Sequence, residues 1–86
     1  MGRKDVYAAI DSERDYQENL WSNLNKTNNS PSAFILWMEE YLSYARRLAS
    51  TTDERPGKGL DDIMERIRKV TALGVACMEI HGVKNR

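Results

Sequence analysis

The sequence predicts an all-α fold: one domain over residues 1–86, a three-helix antiparallel bundle completed by homo-oligomerisation. Three observations predict it. Apolar residues recur at helical spacing in three segments, about 5–24, 32–50 and 60–81. Two breaker-rich stretches, Asn25 to Ser30 and Thr51 to Gly59, separate them. The middle segment is also more apolar than two companion helices can cover: twelve of the seventeen residues from Ala33 to Ala49 are apolar or aromatic. A chain this short buries a modest fraction of its surface, and association is a common remedy.

In the first segment Asp5 is placed to cap the start. Val6, Ile10, Leu20, Trp21 and Leu24 share one face, with Ala9 beside them. The middle of that face is polar. Arg14 and Gln17 fall close to Ile10 on the helical wheel, and Glu13 is near them. A polar group on an inward stripe has to be satisfied by something. Two accounts stand side by side. One is a hydrogen-bond network at the core edge or between subunits. The other is a ligand pocket lined by Glu13, Arg14, Gln17 and Trp21.

In the second segment Pro31 suits the first helical position, with Ser30 as cap, or else Ser32 caps. Phe34, Trp37, Met38, Tyr41, Tyr44, Ala45 and Leu48 form one stripe, while Ile35, Leu36, Leu42 and Ala49 lie off it. Such a helix needs cover on more than one side, and this segment is expected at the centre of the bundle. Arg46 and Arg47 are expected in its last turn, against the negative end of the helix dipole. In the third segment Asp61 and Asp62 sit in the first turn and Gly82 supplies the stop. Leu60, Ile63, Met64, Ile67, Val70, Thr71, Gly74 and Met78 are expected to face inward, with Leu73 and Ile80 pointing elsewhere. Gly74 is read as a point of close helix approach, and His81 as a capping or core-edge residue.

Composition narrows the function classes. Thirteen basic and thirteen acidic residues leave no net charge, so a nucleic-acid partner is not expected. Arg66, Arg68 and Lys69 read as a solvated helix face. The longest unbroken apolar run, Ala33 to Met38, falls far short of the roughly 20 residues a membrane span needs. No signal peptide is evident, and the single Cys77 fits a reducing cytoplasm, as a buried small residue. Glycine-rich phosphate loops, metal-spaced Cys/His clusters and nucleophile triads are absent from the sequence.

Three runs occur in a suggestive order: IDSERDYQENLW (Ile10 to Trp21), FILWMEEYLSYARRLA (Phe34 to Ala49) and LDDIMERIRKVTALGVACMEIHG (Leu60 to Gly82). Together they resemble the MazG-like all-α nucleoside triphosphate pyrophosphohydrolases, especially short phage and bacterial members. The opening helix of that family often carries an E-R-x-x-Q-like run before a tryptophan, matched here by Glu13, Arg14, Gln17 and Trp21. The family's enzymes hold Mg²⁺, a hard cation, with E-E-x-x-E and E-x-x-D motifs on successive helices. Glu39 and Glu40 match the first two positions, but Ser43 stands third; Glu65 matches the second motif, but Arg68 stands where its aspartate would be.

The resemblance therefore implies a helical oligomer with a nucleotide pocket more than it implies turnover. It implies ligand contacts from Glu13, Arg14, Gln17, Trp21 and Glu40, with Arg14 on phosphate, Gln17 on base or sugar and Trp21 stacking. No catalytic residue, metal ligand or cofactor is assigned. The expected function is to bind or sequester a nucleotide or nucleotide signal, with further copies of the chain as partner. One alternative is an active Mg²⁺-dependent pyrophosphohydrolase. The other is a small phage-type interaction module that inhibits a host protein complex.

Overall fold

The computed structural model describes residues 1–21 and 29–86. It contains three helices, α1 (Arg3–Leu20), α2 (Pro31–Thr51) and α3 (Leu60–His81), and no strand among the described residues. The expected end of the first helix at Leu24, and the turn residues 25–28, fall at or within positions 22–28, outside the described residues. No described helix is long and apolar enough to cross a membrane.

Local chemistry sets the helix ends. α1 begins two residues before the expected Asp5. Gly2 is its N-cap, and the Gly2 N–H donates to Asp5 Oδ2 at 3.2 Å. It ends at Leu20, where the Trp21 N–H returns to the Gln17 carbonyl at 2.8 Å. Ser30, rather than Ser32, caps α2: its Oγ accepts the Ala33 N–H at 3.1 Å, and Pro31 takes the first position. α2 runs on to Thr51, so Arg46 and Arg47 sit before its final turn and not in it. Gly82, at φ +82°, ends α3 as expected, its N–H bonding the Met78 carbonyl at 2.8 Å.

The helix at the centre is α3, not α2. Both α1 and α2 pack on α3, and no α1 Cα lies within 8 Å of an α2 Cα. α2 runs antiparallel to α3: Met38 reaches Gly74, Tyr44 lies under Arg66, and Thr52 meets Gly59. The core is small. Phe34, Leu73 and Ala76 are buried together, with Trp21, Met38, Tyr41 and Cys77 packed against them. Phe34 also meets Trp37 edge-on, with ring centroids 5.3 Å apart. Burial of Phe34 and Leu73 contributes about 1.5–3 kcal/mol each.

Leu73 was expected to point away from the core, and it is one of the two largest fully buried side chains. The expected inward stripe of α3 divides. Ile63 is buried, but Met64, Ile67, Thr71 and Met78 stay exposed. The physical reason is that two helices hold α3 from two flanks. Arg66, Leu73 and Gly74 meet α2, whereas Arg68, Lys69 and Glu79 hold α1. At about 100° per residue the Met64–Ile67–Thr71–Met78 stripe falls in the gap between those flanks. Off the stripe of α2, Ile35, Leu36 and Leu42 remain more than half exposed and Ala49 is half-buried, and on the stripe Trp37 and Tyr44, expected to face inward, are exposed as well.

Candidate functional site

The inward face of α1 is polar, as its sequence implies. Glu13, Arg14 and Gln17 are 4 %, 8 % and 2 % exposed, while Val6 and Leu20 on either side are open to solvent. Three buried polar residues need three sets of partners, and α3 supplies nearly all of them.

Glu13 Oε1 accepts from Arg68 Nε at 2.7 Å, and its Oε2 lies 3.7 Å from Lys69 Nζ. Arg14 forks onto Glu79, with Nε to Oε1 at 3.0 Å and Nη2 to Oε2 at 2.8 Å. The same Nη2 reaches Glu18 Oε2, one turn along α1, at 2.9 Å. Gln17 Nε2 donates to the backbone carbonyl of Lys69 at 3.2 Å. The hydrogen bond from Arg14 holds the Glu79 carboxyl below its ordinary range, against a smaller opposing effect of burial. The hydrogen bond to Glu79 in turn raises the Arg14 guanidinium, against the opposing effect of burial.

Three atoms of this seam are left over. Glu13 Oε2, Arg14 Nη1 and Gln17 Oε1 are buried and make no hydrogen bond. Glu13 Oε2 keeps the ion pair with Lys69, whereas Arg14 Nη1 and Gln17 Oε1 have no such partner, at a cost of roughly 1–3 kcal/mol for a buried polar atom. Of the three residues only Glu13 borders a groove of about 370 Å³ between α1 and α3, lined also by Ser12, Tyr16, Glu65, Arg68 and Lys69. Lys69 Nζ sits 5.5 Å from the centroid of the Tyr16 ring. Here an aromatic face, an ammonium and a guanidinium border one opening.

Glu13, Arg14 and Gln17 thus come together. Trp21 does not join them. It is partly buried against the Phe34–Leu73–Ala76 cluster. Glu40 is exposed on α2, a helix that does not approach α1. Glu39 is likewise exposed, and no group of three or more His, Cys, Asp or Glu among the described residues could hold a metal ion. Tyr16, Arg68 and Lys69 are the groove residues that sequence reasoning missed. One signal was available. Tyr16 stands three residues after Glu13, one helical turn along the same side. What periodicity could not show is that the Arg68–Lys69 pair turns toward α1 and not toward water.

No family model, curated protein or solved structure matches this chain.

Proposed function

We propose that this chain is a self-associating helical protein that binds a nucleotide or nucleotide-derived signal without hydrolysing it. One observation carries the reading. The buried Glu13 end of the α1 seam opens on a groove bordered by the Tyr16 ring, the cations Arg68 and Lys69 and the carboxylates of Glu13 and Glu65. Bases stack on aromatic faces, and phosphates pair with guanidinium and ammonium groups. In this arrangement Tyr16 offers the stacking face, and Arg68 and Lys69 meet the phosphate. Glu13 stands behind them, holding Arg68 and Lys69 in place, and Gln17 braces the Lys69 backbone from outside the groove. The MazG-like resemblance of the Glu13, Arg14 and Gln17 run points to the same face of α1, although Trp21 packs against the core.

Binding is favoured over turnover by the placement of charge. Arg68, which stands where the family's metal-holding aspartate would be, neutralises Glu13, and Glu39 and Glu40 lie out on α2. Self-association is favoured by two uncovered apolar surfaces, the Met64–Ile67–Met78 stripe of α3 and the Ile35–Leu36–Leu42 side of α2.

Calorimetry with a panel of mononucleotides, linear dinucleotides and cyclic dinucleotides tests the reading. Wild-type protein is expected to bind at least one class. Tyr16→Leu, at an exposed ring, is expected to weaken that binding at least tenfold with the fold intact. Absence of heat with every nucleotide removes the proposal, and leaves the host-protein interaction module as the reading to pursue by pull-down.

A further inference from the structure

The Met64–Ile67–Thr71 stripe of α3, with Val6 and Ile10 of α1, forms a second, mainly apolar groove of about 500 Å³. It is distinct from the polar groove, although Glu65 and Arg68 border both. The stripe is among the most apolar lines on the central helix, yet Met64, Ile67 and Met78 stay exposed among the described residues. We infer that its occupant is α2 of a second copy, laid antiparallel along α3. The inference rests on the self-association half of the function proposed above.

Charge spacing selects this occupant. The outer flank of α2 carries Ile35, Glu39, Leu42 and Arg46 along one line of the helix. The groove carries Asp61, Met64, Arg68 and Thr71 at steps of three, four and three residues, against four, three and four on α2, so that only the charged positions share one interval. Glu39 and Arg46 are seven residues apart, as are Asp61 and Arg68. At 1.5 Å per residue both intervals are roughly 10.5 Å. Antiparallel alignment sets Arg46 beside Asp61 and Glu39 beside Arg68, with both pairs of opposite sign; Arg68 already holds Glu13, so the Arg46–Asp61 pair carries most of the preference. The same register sets Leu42 over Met64 and Ile35 over Thr71. A parallel alignment puts Glu39 beside Asp61 and Arg46 beside Arg68, two like-charge contacts. With no net charge on the chain, copies approach without overall repulsion.

Disulfide trapping between two differently tagged preparations tests the contact. Each carries one cysteine in a Cys77→Ala background: Leu42→Cys in one, Met64→Cys in the other. Mixed and oxidised, they are expected to form the 42–64 inter-chain cross-link well above the 42–42 and 64–64 products. A second test uses charge. Arg46→Glu is expected to shift the molecular mass from light scattering toward monomer, and Arg46→Glu with Asp61→Arg to restore it, all with wild-type helical content by circular dichroism. A wild-type chain that is monomeric across a concentration series overturns both this contact and self-association. An oligomer that gives only 42–42 or 64–64 products, or no rescue by the double reversal, overturns this contact alone. Nucleotide calorimetry is read separately from either result.

Discussion

Arg14 of α1 and Glu79 of α3 meet through two parallel hydrogen bonds, 3.0 and 2.8 Å long, across 65 residues of sequence. The arginine is almost wholly buried and the glutamate half exposed, so the pair sits at the lip of the seam. Loss of the carboxylate strands a buried cation that retains only Glu18. Glu79→Gln is therefore expected to destabilise the fold by about 1–2 kcal/mol, discounted for the solvent that reaches the glutamate. Arg14→Ala is expected to cost as much or more, because it also empties packed volume. Urea midpoints at constant m-value measure both.

The same pair sets an acid limit. Glu79 titrates below its ordinary value of 4.5 in the folded chain. A carboxyl depressed by folding contributes stability that is fully present above the unfolded value and is lost as pH falls through the folded one. Stability is thus expected to be level from neutral pH down to about 4.5 and to fall below it, with a shallower fall in Glu79→Gln. Asp53 is shifted in the same direction by Arg55, but that pair is fully exposed and gives little to the limb. A variant with an unchanged acid limb would show that Glu79 is not its source.

Two glycines are expected to respond in opposite senses. A side chain at Gly59 would run into the Thr52 methyl and come within 2.7 Å of the Asp53 carbonyl oxygen, which cannot move aside because it accepts the Gly59 N–H. Gly59→Ala is expected to destabilise by about 1–3 kcal/mol. At Gly74 an added methyl would meet only the terminal methyl of Met38, at 3.4 Å. Gly74→Ala is expected to be neutral or to stabilise by up to about 1 kcal/mol through helix propensity. Thermal unfolding of the two variants checks both, and a destabilised Gly74→Ala would mean that α2 sits tighter on α3 than this contact shows.

The polar seam supplies a further comparison. Gln17→Leu removes the hydrogen bond to the Lys69 carbonyl and, with it, the unpaired Oε1. Since one buried polar atom without a partner goes with one good bond, the stability change is expected to stay within about 1 kcal/mol. Nucleotide affinity is expected to fall by more than this change in stability accounts for, and parallel urea and calorimetry measurements separate the two effects.

Much of this could be read from the chain before folding. Pro31, Gly59 and Gly82 mark helix ends because each has a backbone reason to be there, and the inward polarity of Glu13, Arg14 and Gln17 follows from their place between Ile10 and Trp21. Which helix is central was not legible. Apolar content singles out α2, but the two flanks of α3 are set by long-range partners, Arg66 under one helix and Arg68, Lys69 and Glu79 under the other. That is also why Leu73 was misplaced: the more apolar stripe through Met64, Ile67 and Met78 is the exposed one, and the buried arc through Ala72, Ala76, Leu73 and Ile63 lies on the opposite side of α3. Pairings such as Glu13 with Arg68 span 55 residues, and no local rule selects them over Glu65 or Asp61.

The absence of any approach between α1 and α2 has a consequence for how the chain breathes. α1 is fastened to α3 along one side by the Glu13, Arg14 and Gln17 contacts, with Trp21 at its end as its hold on the greasy interior that α2 and α3 share. Peeling α1 off exposes few carbons and leaves the other pair clasped. Amide protons of α1 should therefore trade with deuterated solvent as a block, sooner than those of the α2–α3 hairpin, and a guest lodged in the seam should slow that trade.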